Sequence, residues 1–225
     1  ARKPTFLGVS NIAAVGATSI PSVANDQKTL RVLALHGKEE TGTTFRSTVN
    51  NWRDDILIDH DVRLDIDTVE APFDEGKGKA WWTTNPEGAR SYEADEYEGF
   101  QESKEIVMDA LNSVEEPYDL VVGHSQGAMM VASVLAQEGG KLQHPTIGYV
   151  FNGLAWPKPF TEELQSMEFG SSKPKILLVT GMRDKVNPPK QAEQMKETFQ
   201  KAGAEVSSVK HPMGHSVPIQ KDATL

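Results

Sequence analysis

Near the middle of the chain the apolar run Asp119-Leu120-Val121-Val122 passes straight into Gly123-His124-Ser125-Gln126-Gly127 and on into a helical stretch holding Met129, Met130, Val131, Val134 and Leu135. Strand, sharp turn and helix in immediate succession leave little architectural freedom, because the helix must fold back onto the sheet that the strand belongs to. Glycines two residues before and two after Ser125 relieve crowding in such a turn. The serine hydroxyl is thereby lifted above the sheet edge, at the positive end of the following helix. The five letters are weak by themselves; the flanking strand and helix carry the reading.

The same alternation extends along the chain. Short runs rich in Val, Ile and Leu at residues 30–35, 62–69, 119–122, 146–151, 175–180 and 205–210 are separated by segments of helical period. This predicts an α/β domain with a mostly parallel central sheet of at least six strands and helices on both faces. Phe45, Val49, Trp52 and Ile56 mark one helix face. Tyr97, Phe100, Val107, Leu111 and Val114 mark a second, and Ala192, Met195 and Phe199 a third. Core packing accounts for all of them. The connection at residues 72–96 is longer than a structureless loop usually is, and with Gly76, Gly78, Pro86 and Gly88 it reads as a lid or pocket wall.

Composition removes several classes of function. With 225 residues there is room for one such domain, taken as residues 26–225. A net charge of −9 argues against a nucleic-acid partner, and no apolar run approaches the length of a membrane span. The chain has no cysteine, which excludes a thiolate nucleophile, a disulfide framework and cysteine metal sites. Residues 1–25 carry Arg2 and Lys3 but no acid, consistent with either an N-terminal arm or a targeting segment. A soluble, cytoplasmic protein is the default expectation, with import into a plastid or mitochondrion the alternative. The oligomeric state is left open.

A serine hydroxyl needs a base to accept its proton and a carboxylate to orient that base. In a strand–elbow–helix setting the chain order is serine, acid, histidine. Asp184 follows the fifth apolar run in Gly181-Met182-Arg183-Asp184, just past a strand's carboxyl end, where α/β sheets assemble their sites. A turn or helix-cap role is its plainer reading. Of six histidines, His215 follows the last run in a Gly/Pro-bounded loop. His211 is its rival, and the four-residue spacing of the two suggests a metal pair, but Pro212 and Gly214 oppose a helix there and no acidic ligand lies nearby. No metal and no cofactor is expected.

The backbone N–H of Gln126 is one candidate oxyanion donor, and the loop after His36-Gly37 supplies the other, from Lys38 or from Glu39. His36 then serves structure. Phe73, Trp81, Trp82 and Trp156 are candidates to line a substrate pocket, with core packing the equal alternative.

With these residues placed, the chain from Leu30 to Pro218 resembles the eukaryotic family of serine hydrolases that includes the yeast FSH-type and OVCA2-like α/β-hydrolases. The resemblance rests on Leu33-Ala-Leu-His36-Gly37, Phe45-Arg46, Ala71-Pro72-Phe73, Ala80-Trp81-Trp82, Tyr97-Glu-Gly99 with Ser103, Gly123 to Ala128, Gly181 to Asp184 and Gly214 to Pro218. It implies the α/β-hydrolase fold, with Ser125, Asp184 and His215 matching the family's triad and with small-molecule esters or thioesters of short to medium acyl chains as substrates. His124 stands where a Phe is common in the family, and Lys38 where an apolar residue often follows His-Gly. A small-molecule receptor on a hydrolase scaffold and a lactone or dienelactone hydrolase are the other functions such a sequence admits.

Overall fold

The computed structural model describes residues 28–52, 62–139, 142 and 145–218. Six strands form its central sheet: β1 (Thr29–Leu35), β2 (Arg63–Val69), β7 (Leu120–His124), β8 (Gly148–Asn152), β9 (Lys175–Gly181) and β10 (Glu205–His211). Their order is β10-β9-β8-β7-β1-β2, and every neighbouring pair is parallel. The apolar runs of the inner strands are near-continuous because side chains alternate between two covered faces, whereas the outer strand β2 leaves Arg63, Asp65 and Asp67 exposed. In β1, Val32 and Ala34 join one buried cluster while Leu33 and Leu35 join the other.

Helix α1 (Gly42–Trp52) lays Phe45, Val49 and Trp52 against the Val32 face. Ile56, expected on the same stripe, lies outside the described residues, as does the 1–25 segment. On the opposite face lie α2 (Phe100–Asn112), α3 (Gln126–Glu138), α4 (Thr161–Ser166) and α5 (Pro189–Lys201). Every residue of α3 from Gln126 to Leu135 is buried, so this helix has no solvent stripe and acts as the central pillar of that layer. Burying one such Met or Leu contributes about 1.5–3 kcal/mol. Among the described residues no helix is long and apolar enough to cross a membrane.

Two features differ from the sequence expectation. Tyr97 is not on α2: it sits in the short strand β6 (Glu96–Glu98), and Gly99, at φ 84, separates strand from helix. The three-residue step from Tyr97 to Phe100 mimics helical period, but the Tyr97 ring stacks on Trp82 with centroids 4.4 Å apart. The 72–96 connection is also not a bare loop. β3 (Phe73–Glu75) pairs with β4 (Gly78–Ala80), and β5 (Thr83–Asn85) pairs with β6, both antiparallel. These two small ribbons give the excursion its own backbone hydrogen bonds, which is how so long a connection stays ordered.

Candidate active site

Ser125 stands between β7 and α3 with φ 51 and ψ −116, a conformation that costs a non-glycine residue on the order of 1–3 kcal/mol. The surroundings over-determine it. The Ser125 N–H donates to the Asn152 carbonyl at 2.9 Å, and the Ser125 carbonyl accepts from Met129 N–H at 3.0 Å. A Cβ at Gly127 would come within 2.3 Å of the Leu35 carbonyl oxygen, and one at Gly123 within 2.6 Å of Ala128 Cα. Both glycines are therefore demanded by the close approach of α3 to β1 and β7.

The three residues expected to act together are joined by short hydrogen bonds. Ser125 Oγ lies 2.7 Å from His215 Nε2, and His215 Nδ1 lies 2.6 Å from Asp184 Oδ2. A carboxylate only accepts, so Nδ1 carries the proton, and Nε2 is left as acceptor for the serine hydroxyl. Asp184 is 5% exposed, and its other oxygen accepts the amides of Val186 and Asn187, each at 2.8 Å. Burial by itself pushes the carboxyl up, but the bonds from His215, Asn187 and Val186 outweigh it and hold the group below its ordinary value. Asp184 thus both caps its turn and faces His215.

Strand ends bring these groups together. Gly37 follows β1, Ser125 follows β7, Gly153 follows β8, Asp184 follows β9 and His215 follows β10, all at the carboxyl edge of the sheet. The loops carrying Asp184 and His215 are laced to each other: Met182 N–H donates to His211 O, and Arg183 N–H to Met213 O.

Three amides follow His36, and two are engaged. Gly37 N–H donates to the Glu40 carboxylate at 2.7 Å, and Glu39 N–H donates to Lys79 O at 2.8 Å. Neither the Lys38 amide nor the Gln126 amide meets an acceptor among the described residues, and both residues line one cavity of about 200 Å³ with Ser125. The Lys38 loop is held by the β3–β4 ribbon. Lys79 N–H donates to Glu40 O, Lys38 Nζ pairs with Glu75 at 2.7 Å, and a Cβ at Gly78 would meet the Glu39 carbonyl oxygen at 2.4 Å.

Of the four aromatic candidates, Trp82 lines the Ser125 cavity, together with Met129. Trp81 is fully buried, with Nε1 donating to His36 O at 2.8 Å. Phe73 sits against Gly99, and Trp156 lies beside Leu164 and Met167 in a separate groove against α5. His36 is buried; Ala71 N–H donates to its Nε2, so the proton is on Nδ1 and faces Gly37 O. His211 is buried too, and neither ring nitrogen has a partner among the described residues.

Several contributors were not visible from sequence. The Gln126 side chain accepts from Trp81 N–H and donates to Trp82 O, both at 3.0 Å, clamping the excursion to the elbow. Asn152 uses its carbonyl for Ser125 and its Nδ2 for His124 Nδ1 (2.8 Å) and Ser216 O (3.2 Å). One side chain therefore ties the residue before Ser125 to the residue after His215. Its signal was present: a polar residue closing a buried apolar strand at the carboxyl edge. His124 itself is buried, its ring 5.2 Å from that of His215. Burial pushes its pKa down to about 4, against the upward pull of Glu40 and Asp184 and with a further lowering from His215.

The chain's relatives bear on its family and its fold. A family model described as "Serine hydrolase (FSH1)" matches residues 25–224. The esterase C25G4.2 of Caenorhabditis elegans is 27% identical over 207 residues, covering 86% of this chain and 89% of the relative. Esterase OVCA2 of Danio rerio is 28% identical over 216 residues, covering 84% and 90%. Among solved structures, the Bacillus cereus carboxylesterase superposes with TM-score 0.64 at 14% identity, over 88% of this chain and 85% of that one. At that identity the likeness establishes the fold, which is that of the α/β-hydrolases.

Proposed function

The chain belongs to the FSH1 serine hydrolase family, and from that premise we propose that it cleaves carboxylic esters, and by the same chemistry thioesters, through an acyl intermediate on Ser125. His215 Nε2 takes the Oγ proton as Oγ attacks the carbonyl carbon. The Gln126 and Lys38 amides receive the charge that develops on the carbonyl oxygen, each such donor being worth about 2.7–4 kcal/mol in the transition state. His215 then gives its proton to the departing alcohol or thiol, and a water repeats the sequence to free the acid. Asp184 stays ionised and holds the imidazole in the tautomer that leaves Nε2 free.

The observation that carries this reading is the unbroken Asp184–His215–Ser125 series at 2.6 and 2.7 Å, reached through loops on three different strands. A cavity of about 200 Å³ lies below the range of roughly 300–1,000 Å³ typical of larger ligands and supports short acyl groups. A fluorophosphonate probe tests the assignment. Ser125 is expected to be labelled in the folded protein, and Ser125→Ala to lose both labelling and turnover of p-nitrophenyl esters. Labelling elsewhere, or undiminished turnover by the variant, refutes it. Saturable ligand binding without turnover across an ester and thioester panel would point to a receptor.

A further inference from the structure

We propose that the substrate carries a carboxylate, and that Arg90 selects for it. Resting on the ester-hydrolase reading, this inference names the substrate class. Lys38 and Arg90 are the charged residues among those lining the cavity at Ser125, and no Asp or Glu lines it, in a chain whose net charge is −9. The two cations differ. Lys38 Nζ is neutralised by Glu75 at 2.7 Å, whereas Arg90 pairs with no carboxylate among the described residues and is exposed. Among the residues lining the cavity, Arg90 is the cation without a carboxylate partner.

Arg90 is also on a fixed stretch of backbone. Thr84 Oγ1 donates to the Ala89 carbonyl at 3.2 Å, and the buried Tyr97 hydroxyl donates to the Ser91 carbonyl at 2.7 Å, so the residues on either side are both tied down. The Arg90 carbonyl accepts from Glu93 and Ala94 N–H, closing the turn. The nearby acid Asp95 is taken by Lys158 at 2.6 Å. A planar guanidinium presented from an ordered turn is pre-organised for a carboxylate, which it binds through paired N–H donors. The small cavity sets the reach: Ser125 and Arg90 line the same space, so the ester carbonyl and the anionic end are separated by a short chain. Half-esters of short dicarboxylic acids fit that description.

The experiment compares monoethyl glutarate with ethyl pentanoate, which differ by a carboxylate in place of the terminal methyl, with hydrolysis followed by acid release at constant pH. The wild-type protein is expected to favour the half-ester in kcat/KM by about tenfold, the size of a charge-assisted hydrogen bond. The preference should shrink as salt is raised. Arg90→Gln should remove it while leaving ethyl pentanoate within twofold, and Arg90→Glu should invert it. Equal rates on the two esters, or an Arg90→Gln variant that slows both alike, overturn the inference while the hydrolase reading stands. No turnover of either ester by the wild-type protein removes both.

Discussion

His124 gives the most direct physical test of how the elbow is built. Its ring is buried, it accepts a hydrogen bond from Asn152, and its pKa is pushed down to about 4. In the unfolded chain a histidine titrates near 6.5. Between those values the unfolded state binds a proton that the folded state refuses, so stability falls as pH drops from about 6.5 to about 4 and is level above that window. The difference of about 2.5 units corresponds to roughly 3 kcal/mol. His124→Phe removes this titration. It also leaves one Asn152 N–H without its acceptor, at a cost of about 1–3 kcal/mol that does not depend on pH. The variant should therefore be the less stable protein at pH 7.5, and the gap should narrow or reverse by pH 4.5. Urea unfolding of both proteins across that range measures it, and subtracting the curves removes what the two proteins share, such as the contribution of His211, which burial also depresses. Two curves that stay parallel would refute the claim that His124 is held neutral.

Two further substitutions probe how the excursion supports the site. Gly78→Ala places a methyl 2.4 Å from the Glu39 carbonyl oxygen, so the loop carrying the Lys38 amide must shift; kcat for ester hydrolysis should fall at least tenfold with Tm lowered by only a few degrees, and unchanged kcat would contradict the coupling. Gln126→Ala deletes both bonds to the Trp81–Trp82 backbone, and leaving two buried groups unpaired should cost about 2–5 kcal/mol in urea unfolding while hydrogen exchange at residues 81–98 accelerates; unaltered exchange there would show that the clamp is not what holds the ribbons.

The inner strands were legible because they are buried on both faces and so appear as plain apolar runs; β2 alternates buried Leu64, Ile66 and Val69 with exposed Arg63, Asp65 and Asp67, and β10 was found although only one of its residues, His211, is buried. The ribbons β3 to β6 were not, since three-residue strands such as Phe73-Asp74-Glu75 and Thr83-Thr84-Asn85 show no apolar alternation and owe their order to partners. Ser125, Asp184 and His215 could be selected by chain order and by their places after apolar runs, and they lie within hydrogen-bonding distance. What position cannot convey is which polar groups meet across long separations. Asn152 meets His124 from 28 residues away and Ser216 from 64, and Glu40 spends its carboxylate on Gly37 rather than on solvent. That the Glu39 amide is engaged while the Lys38 amide is not likewise comes from a bond to Lys79, in an element no pattern announced.

The order of strands has a consequence for synthesis. His215 hangs from the loop after β10, the last strand among the described residues and an outer one, which adds to β9 over seven register pairs. A chain emerging from the ribosome amino end first can build the elbow and the ribbons before that strand exists, while the Asp184 turn still lacks its bonds to His211 O and Met213 O. Until β10 adds to the sheet, Ser125 Oγ lacks its His215 partner, and on the proposed mechanism its hydroxyl stays unactivated. Reactivity at Ser125 then becomes a gauge of whether β10 has been made and has joined the sheet.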